Sequence, residues 1–226
     1  MRSNHKNRYE FDQAYFEGKY DSRSKPYNTL AMKEQASRYF AAIERVVGIE
    51  PGTRVLDIGC AYGDFLSICD GRNLETYGYD ISEHAISRAK TRTRAKLTVG
   101  DANKELHHYS DGEFSIVTMF DVLEHLISPY QTLIEAYRVL DPFGSLVVTT
   151  PNTSSVERLM LKDNWSGATD LTHNYLFSAY SLAFLLQRAG FRTLLLTTPF
   201  PSMPLLISKM LERTRLGGQL FCIAAK

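Results

Sequence analysis

Between residues 30 and 47 the apolar positions Met32, Ala36, Tyr39, Phe40, Ile43, Val46 and Val47 recur at helical spacing. That spacing predicts a helix with one buried face, and Gly48 stands where such a helix stops. Pro51 and Gly52 punctuate the chain, and residues 53–58 then carry Val55, Leu56 and Ile58 in a short apolar run that reads as a buried strand. Past a glycine-containing turn the pattern predicts a helix over 64–70, a strand over 75–79, a helix over 82–92 with Ser82 as its N-cap, and a strand over 96–99. A strand over 114–120, a helix over 129–140 and a strand over 145–150 follow, the last after a turn at Asp141, Pro142, Phe143 and Gly144. Such alternation predicts an α/β fold with a mostly parallel sheet covered on both faces by helices.

Residues 152–177 break the rhythm: they are polar, contain Trp165 and Gly167, and are longer than a usual connection in an α/β sheet. An insertion of that length reads as a lid. The alternation resumes with a helix over 178–189, Gly190 after it, and a strand over 191–197. A proline-rich amphipathic stretch over 200–215 and a strand over 219–224 complete the chain, and the apolar part of that stretch, 203–211, is a candidate interface. At the other end, Tyr9, Phe11, Tyr15, Phe16, Tyr20 and Tyr27 enrich the N-terminal segment in aromatics, more than an unstructured tail carries. We therefore divide the chain into an N-terminal helical cap segment, 1–48, and a main domain, 49–226, with 152–177 as a substrate lid.

Composition narrows the classes. A chain of 226 residues with 44% hydrophobic and 23% charged residues can bury one real core and is neither disordered nor fibrous. Twenty-six basic against 25 acidic residues leave a formal net charge of +1, so no global field gathers polyanions and nucleic acid is not an expected partner. No apolar stretch approaches the roughly 20 residues that span a bilayer, and the polar first ten residues do not read as a secretory signal, so the expected location is cytoplasmic. The three cysteines, Cys60, Cys69 and Cys222, form no CxxC pair, which argues against a disulfide framework and a structural zinc site; no metal is expected.

The chemistry concentrates in Val55, Leu56, Asp57, Ile58, Gly59, Cys60, Ala61, Tyr62 and Gly63, where a buried strand delivers an acid to a tight glycine turn and a helix begins at once. Glycines let the backbone approach a ligand closely, and the amides at a helix start favour a carboxylate or phosphate. A second acid, Asp80, followed by Ile81, ends the second strand, where a carboxylate can accept both hydroxyls of a ribose. A dinucleotide site would show G-x-G-x-x-G, whereas this chain has Gly59 and Gly63 with Ala61 between. An acid at Asp57 also sits badly beside a pyrophosphate but suits a ligand carrying an ammonium or sulfonium.

In this ordered set the chain resembles the class I methyltransferases that use S-adenosylmethionine, from about Arg54 to the C-terminus. The turn of Asp57, Gly59, Cys60, Ala61 and Gly63 looks like their first motif, with Ala61 in place of the usual central glycine. Asp80, with Ile81 beside it, matches their ribose-binding acid, and Asp101 with Ala102 resembles the segment that meets adenine. The run FSIVTMFDVLEHL, residues 114–126, resembles their fourth-strand motif, which implies that Phe120 and Asp121 lie near the methionine part of the cofactor. The helix that leads through Gly190 and Phe191 into a strand, and Thr150, Pro151 and Asn152, resemble bacterial small-molecule enzymes. The resemblance implies a Rossmann-like, doubly wound, seven-stranded sheet with its last strand antiparallel. It further implies methyl transfer to a small acceptor, with O- or C-methylation of a sugar, quinone-like compound or secondary metabolite favoured, and S-adenosylhomocysteine as product.

If the acceptor must lose a proton, His173 and His125 are the chemically suitable bases, since imidazole titrates near neutrality. Simpler readings stand beside these. Asp57 also fits an acid that organises its own turn, Asp80 a solvated surface acid, and Asp101 an ordinary turn. Glu124 and His125 fit a helix flank, and Trp165, Asp170, His173 and Tyr175 fit either an acceptor pocket or pins that hold the insertion to the core. Two other functions share the pattern: an NAD(P)-dependent Rossmann oxidoreductase or epimerase, and a non-catalytic protein that binds the same cofactor. Oligomeric state is not readable.

Overall fold

The computed structural model describes residues 11–19, 26–199 and 214–226; Tyr9, Tyr20 and the stretch 200–213 lie outside the described residues. A short helix α1 (Gln13–Phe16) and the long α2 (Thr29–Val47) precede β1 (Arg54–Ile58), α3 (Asp64–Asp70), β2 (Glu75–Asp80), α4 (Glu83–Ala89), β3 (Lys96–Val99) and α5 (Ala102–Glu105). Next come β4 (Phe114–Phe120), α6 (Pro129–Val139), β5 (Leu140–Pro151), α7 (Val156–Leu161), α8 (Ser166–Thr169), α9 (Ala179–Arg188), β6 (Arg192–Thr197) and β7 (Gln219–Ala225). The strands make one seven-stranded sheet in the order β3-β2-β1-β4-β5-β7-β6, with β7 antiparallel to both of its neighbours and the other six parallel. No helix among the described residues is long and apolar enough to cross a membrane.

Strand periodicity divides the core between the two faces of the sheet. Leu56 and Ile58 of β1 pack with Val117, Met119, Leu146 and Val148 beneath α6 and α9. Val55, Ile116, Val147 and Phe221 pack on the opposite face with Tyr39, Phe40 and Ile43 of α2 and Phe65 of α3. Helix α2 forms because its apolar stripe has that face to cover, and Asn28 caps it by accepting the Ala31 amide at 3.2 Å.

Two boundaries differ from the sequence pattern. The expected turn at 141–144 is absorbed into β5: Phe114 pairs with Leu140 but Ile116 pairs with Ser145, so the intervening β5 residues bulge from the ladder with Phe143 exposed. Helix α4 stops at Ala89 rather than Arg92, because the Arg92 and Thr93 amides both return to the Ala89 carbonyl.

The parallel arrangement places the ends of β1, β2, β4 and β5 on one edge, where open α/β sheets bind ligands. Over that edge lies the insertion after β5, built from α7, a 3₁₀ turn (Lys162–Asn164) and α8. Its base is closed by a bridge between Asn152 and Phe177. Trp165 is 1% exposed, which identifies it as the insertion's anchor in the protein interior rather than a pocket wall.

Candidate active site

The register of the sheet builds the floor of the cleft. Asp57 on β1 stands opposite Gly78 on β2 and Thr118 on β4. A Cβ at Gly78 would meet Leu66 Cδ1 at 2.6 Å, and the Thr118 hydroxyl donates to Asp57 Oδ1 at 2.6 Å. Asp57 is almost fully buried; burial, together with the charge of Asp80, raises its pKa to about 7 against the pull of the Thr118 hydrogen bond. Asp80, at the end of β2, accepts the Ala61 amide on one oxygen and the Ser82 amide on the other, both at 2.9 Å. Burial raises its pKa and the two amides oppose the rise.

Those two bonds tie the glycine turn to the second strand. The Gly59 and Cys60 amides also donate to the Tyr79 carbonyl, at 2.8 and 3.0 Å. Gly59 has φ +71°, and a Cβ there would meet Val122 Cγ2 at 2.4 Å, so both backbone and space require glycine. Ala61 takes φ +46°, a left-handed conformation that alanine adopts at a cost of roughly 1 kcal/mol. This is the physical content of its standing where a glycine is usual. The Cys60 side chain points inward against Leu66 and Ile86, where burial pushes the thiol well up, while Ile81 is exposed at the rim.

At the end of β4 the chain turns through Asp121, which has φ +54°. The Asp121 carboxylate accepts from Gln219 Nε2 at 2.8 and 2.9 Å and from the Thr149 hydroxyl at 3.0 Å. Phe120 stacks on Tyr39 and meets Phe65 edge-on, so its ring packs toward α2 and α3. Asp101 and Ala102 are half-buried at the start of α5, with Lys104 Nζ 3.9 Å from the Asp101 carboxylate.

A second cluster forms where the loop after β4 meets the insertion. Glu124 is 1% exposed, and neither carboxylate oxygen has a hydrogen-bond partner; the neighbouring Thr150 hydroxyl is likewise unpartnered. Burial and the charge of Asp121 push the Glu124 pKa well up, against the pull of its own backbone amide and of the Thr150 hydroxyl, which lies close but outside hydrogen-bonding geometry. The Glu124 carbonyl accepts the Asn174 and Tyr175 amides, at 2.8 and 3.1 Å, which fastens the insertion to this loop. The His125 and His173 rings meet edge-to-face with centroids 4.7 Å apart. His173 Nδ1 lies 2.8 Å from the Gly167 carbonyl, and a carbonyl only accepts, so this nitrogen carries the proton. His125 Nδ1 lies 2.9 Å from Thr172 Oγ1, whose own proton goes to Asp170 Oδ1 at 2.6 Å. It too is therefore the donor. That leaves Nε2 as the remaining nitrogen of each ring, and burial lowers the His125 pKa to about 4.

Residues of the N-terminal segment pack against the glycine turn, α3 and the second cluster. Phe16 is buried and stacks on Tyr62 at 5.0 Å, Phe11 meets His125 at 5.2 Å, and the Tyr27 hydroxyl donates to Asp64 at 2.8 Å. Burial and the charges of Asp170, Asp121, Glu124 and Asp80 push the Tyr15 pKa up, which places its phenol among the acids of both clusters.

Known proteins complete the assignment. A family model described as a methyltransferase domain matches residues 32–196. The chain belongs to this family, the class I S-adenosylmethionine-dependent methyltransferases. Over 118 residues this methyltransferase is 32% identical to a ubiquinone biosynthesis O-methyltransferase of Aromatoleum aromaticum, covering 49% of this chain and 48% of that one. Over 158 residues it is 29% identical to a demethylmenaquinone methyltransferase of Staphylococcus saprophyticus, covering 64% and 65%. The chain spans about half the length of the curated relatives it matches. Its fold is similar to that of a SAM-dependent methyltransferase from Archaeoglobus fulgidus, with TM-score 0.69 and 22% identity over 88% of this chain and 95% of that one. It is also similar to the [4+2]-cyclase SpnF, with TM-score 0.65 and 18% identity over 87% and 81%, so the fold alone does not specify a reaction.

The residues present fit the family's cofactor. Each Asp80 oxygen takes one backbone amide and retains a lone pair for a ribose hydroxyl, and the buried Asp57 adds the negative charge that a sulfonium or ammonium requires. Glu124 was legible in sequence only as a helix flank, and Tyr15 only as one aromatic among several. Their burial depends on how the insertion and α1 cover the cleft.

Proposed function

We propose that this methyltransferase moves the methyl group of S-adenosylmethionine to an oxygen or carbon atom of a small acceptor. The observation that carries the reading is the acid pair at one strand edge, Asp57 buried beneath an Asp80 that holds the glycine turn, beside a second cluster with two imidazoles. The cofactor, when bound, supplies a methyl group already activated by its sulfonium, so the protein needs no nucleophile of its own. Asp80 binds the ribose hydroxyls and Asp57 complements positive charge, with Gly59, Cys60, Ala61, Gly63, Ile81, Asp101, Ala102, Phe120 and Asp121 forming the surrounding wall. Alignment of the two reactants and exclusion of water are then the main contributions of the fold, worth several kcal/mol.

Residues 152–177 act as the acceptor's lid, and the N-terminal segment 1–48 contributes the cap that closes the cofactor side. His173 and His125 face the acceptor. Burial leaves His125 a weak proton acceptor. Two imidazoles side by side favour an acceptor that must lose a proton, such as a phenol or an activated ring carbon. The names of the relatives support quinone-type compounds of that kind, ahead of sugars or other secondary metabolites. The protein works in the cytoplasm on a small molecule, with no nucleic acid partner.

The test is transfer of labelled methyl from S-adenosylmethionine to a panel of catechols, quinols, sugars and nucleic acids. Label in a catechol or quinol product supports the reading. Label only in nucleic acid, or none in any acceptor by a protein that binds the cofactor, overturns it.

A further inference from the structure

We propose that Glu124, His125 and His173 bind a divalent transition-metal cation at the acceptor side of the cleft. One ligand atom from each of the three residues lies within 4.8 Å of the others, close enough to converge on one ion. Independent of that spacing, Glu124 buries both carboxylate oxygens with no hydrogen-bond partner. A carboxyl buried without a hydrogen-bond partner either keeps its proton or binds a cation, and a cation satisfies the oxygens that the protein leaves unpaired.

The surroundings are those of a ligand set. Metal-bound imidazoles donate their second nitrogen to a carbonyl, hydroxyl or carboxylate that fixes the ring, and both histidines do so here. His173 Nδ1 donates to the Gly167 carbonyl, and His125 Nδ1 to the Thr172 hydroxyl, which is itself held by Asp170. The nitrogens left to bind are the two Nε2 atoms, that of His173 lying 3.8 Å from Asp170 Oδ2. The Glu124 and His125 backbones are pinned in turn by Asn174, whose amide donates to the Glu124 carbonyl and whose side chain donates to the His125 carbonyl, both at 2.8 Å. The loop after β4 and the insertion are thus locked together at the point where their three ligands meet.

Two imidazoles and one carboxylate select manganese, iron, cobalt, nickel or zinc over magnesium or calcium, which prefer all-oxygen sets. Three protein ligands leave positions open for an oxygen atom of the acceptor, whose pKa a bound cation lowers. In the loaded protein this takes over the task of base from His173. The inference rests on the methyltransferase reading for its purpose and on the geometry alone for the site.

The experiment strips the full chain with a chelator and titrates it with Co²⁺, read by visible absorption, and with Zn²⁺, read by calorimetry. S-adenosylhomocysteine is titrated separately as the control on the cofactor half. One cation per chain is expected, with affinity reduced at least about tenfold in Glu124→Gln and His173→Ala, and about tenfold in Thr172→Val, which alters only the support of a ligand. All three variants are expected to bind S-adenosylhomocysteine within a few-fold of the parent. No saturable cation binding to a parent chain that binds S-adenosylhomocysteine overturns the site and leaves the methyltransferase reading standing. Cation affinity unchanged in both Glu124→Gln and His173→Ala also overturns it.

Discussion

Asp57 carries the sharpest conflict between stability and binding. Its pKa is raised from 3.8 to about 7, so between those values the folded chain holds a proton that the unfolded chain has lost. Stability from this group is therefore present below about pH 4 and is lost as pH rises through 7, with an upper bound near 4 kcal/mol. Asp57→Asn keeps an acceptor for the Thr118 hydroxyl but removes the buried charge. At pH 8 we expect it to unfold at a higher temperature than the parent, with the advantage gone at pH 4, while its affinity for S-adenosylmethionine falls about tenfold or more. Calorimetric unfolding at the two pH values, with a titration of the cofactor, checks both halves; a variant that loses stability at pH 8 contradicts the assignment. The type of residue at position 57 was legible from sequence because a strand ending in an acid before a glycine turn is local. Its raised pKa was not, since that depends on burial by neighbouring elements and on the charge of Asp80 at the end of β2.

At the scale of elements, the turn from β1 to α3 offers a paired test. Gly59→Ala adds a methyl that collides with Val122 and forces alanine to φ +71°, so we expect a loss of about 2–4 kcal/mol and of cofactor binding. Ala61→Gly relieves a left-handed alanine and should leave stability unchanged or raise it by up to about 1 kcal/mol, with cofactor affinity retained. Chemical denaturation of the two variants reads both signs. For the insertion, Trp165→Ala removes its buried anchor and should cost about 3–5 kcal/mol. It should also raise the acceptor's KM more than it changes the affinity for S-adenosylhomocysteine, because the cofactor's acids lie on β1 and β2. Equal loss of both affinities would count against the lid. The alternation of strands and helices was readable because each element buries one face at its own period. The bulge in β5 was not, because Pro142 and Gly144 signal a turn equally well, and only pairing with β4 keeps the chain extended.

Across the whole molecule, a net charge of +1 hides an uneven distribution, since Asp57, Asp80, Asp121, Glu124 and Asp170 gather at one sheet edge. Formal charge gave no reason to expect a polyanion and could not reveal a cleft suited to a cation. If the N-terminal segment caps the cofactor, Phe16→Ala should weaken S-adenosylhomocysteine binding by about tenfold, equivalent to 1.4 kcal/mol, without a change in far-ultraviolet circular dichroism. Unchanged affinity would reduce Phe16 to a peripheral packing contact on Tyr62. The resemblance to class I methyltransferases covered the sheet and the cofactor's acids. It also took in Glu124 and His125, within the run over 114–126, but not the meeting of His125 with His173 and Phe11, because only the fold brings those segments together.

The most direct measurement is calorimetric titration of the full chain and of Asp80→Asn with S-adenosylhomocysteine and with NAD. Asparagine at position 80 presents an amide N–H to one of the two backbone amides that the aspartate now accepts, so the substitution damages the turn and the ribose site together. The account predicts one S-adenosylhomocysteine per parent chain, no NAD binding at the same concentrations, and at least about tenfold weaker S-adenosylhomocysteine binding in Asp80→Asn. Binding of NAD in place of S-adenosylhomocysteine, or S-adenosylhomocysteine affinity that Asp80→Asn leaves unchanged, would contradict it.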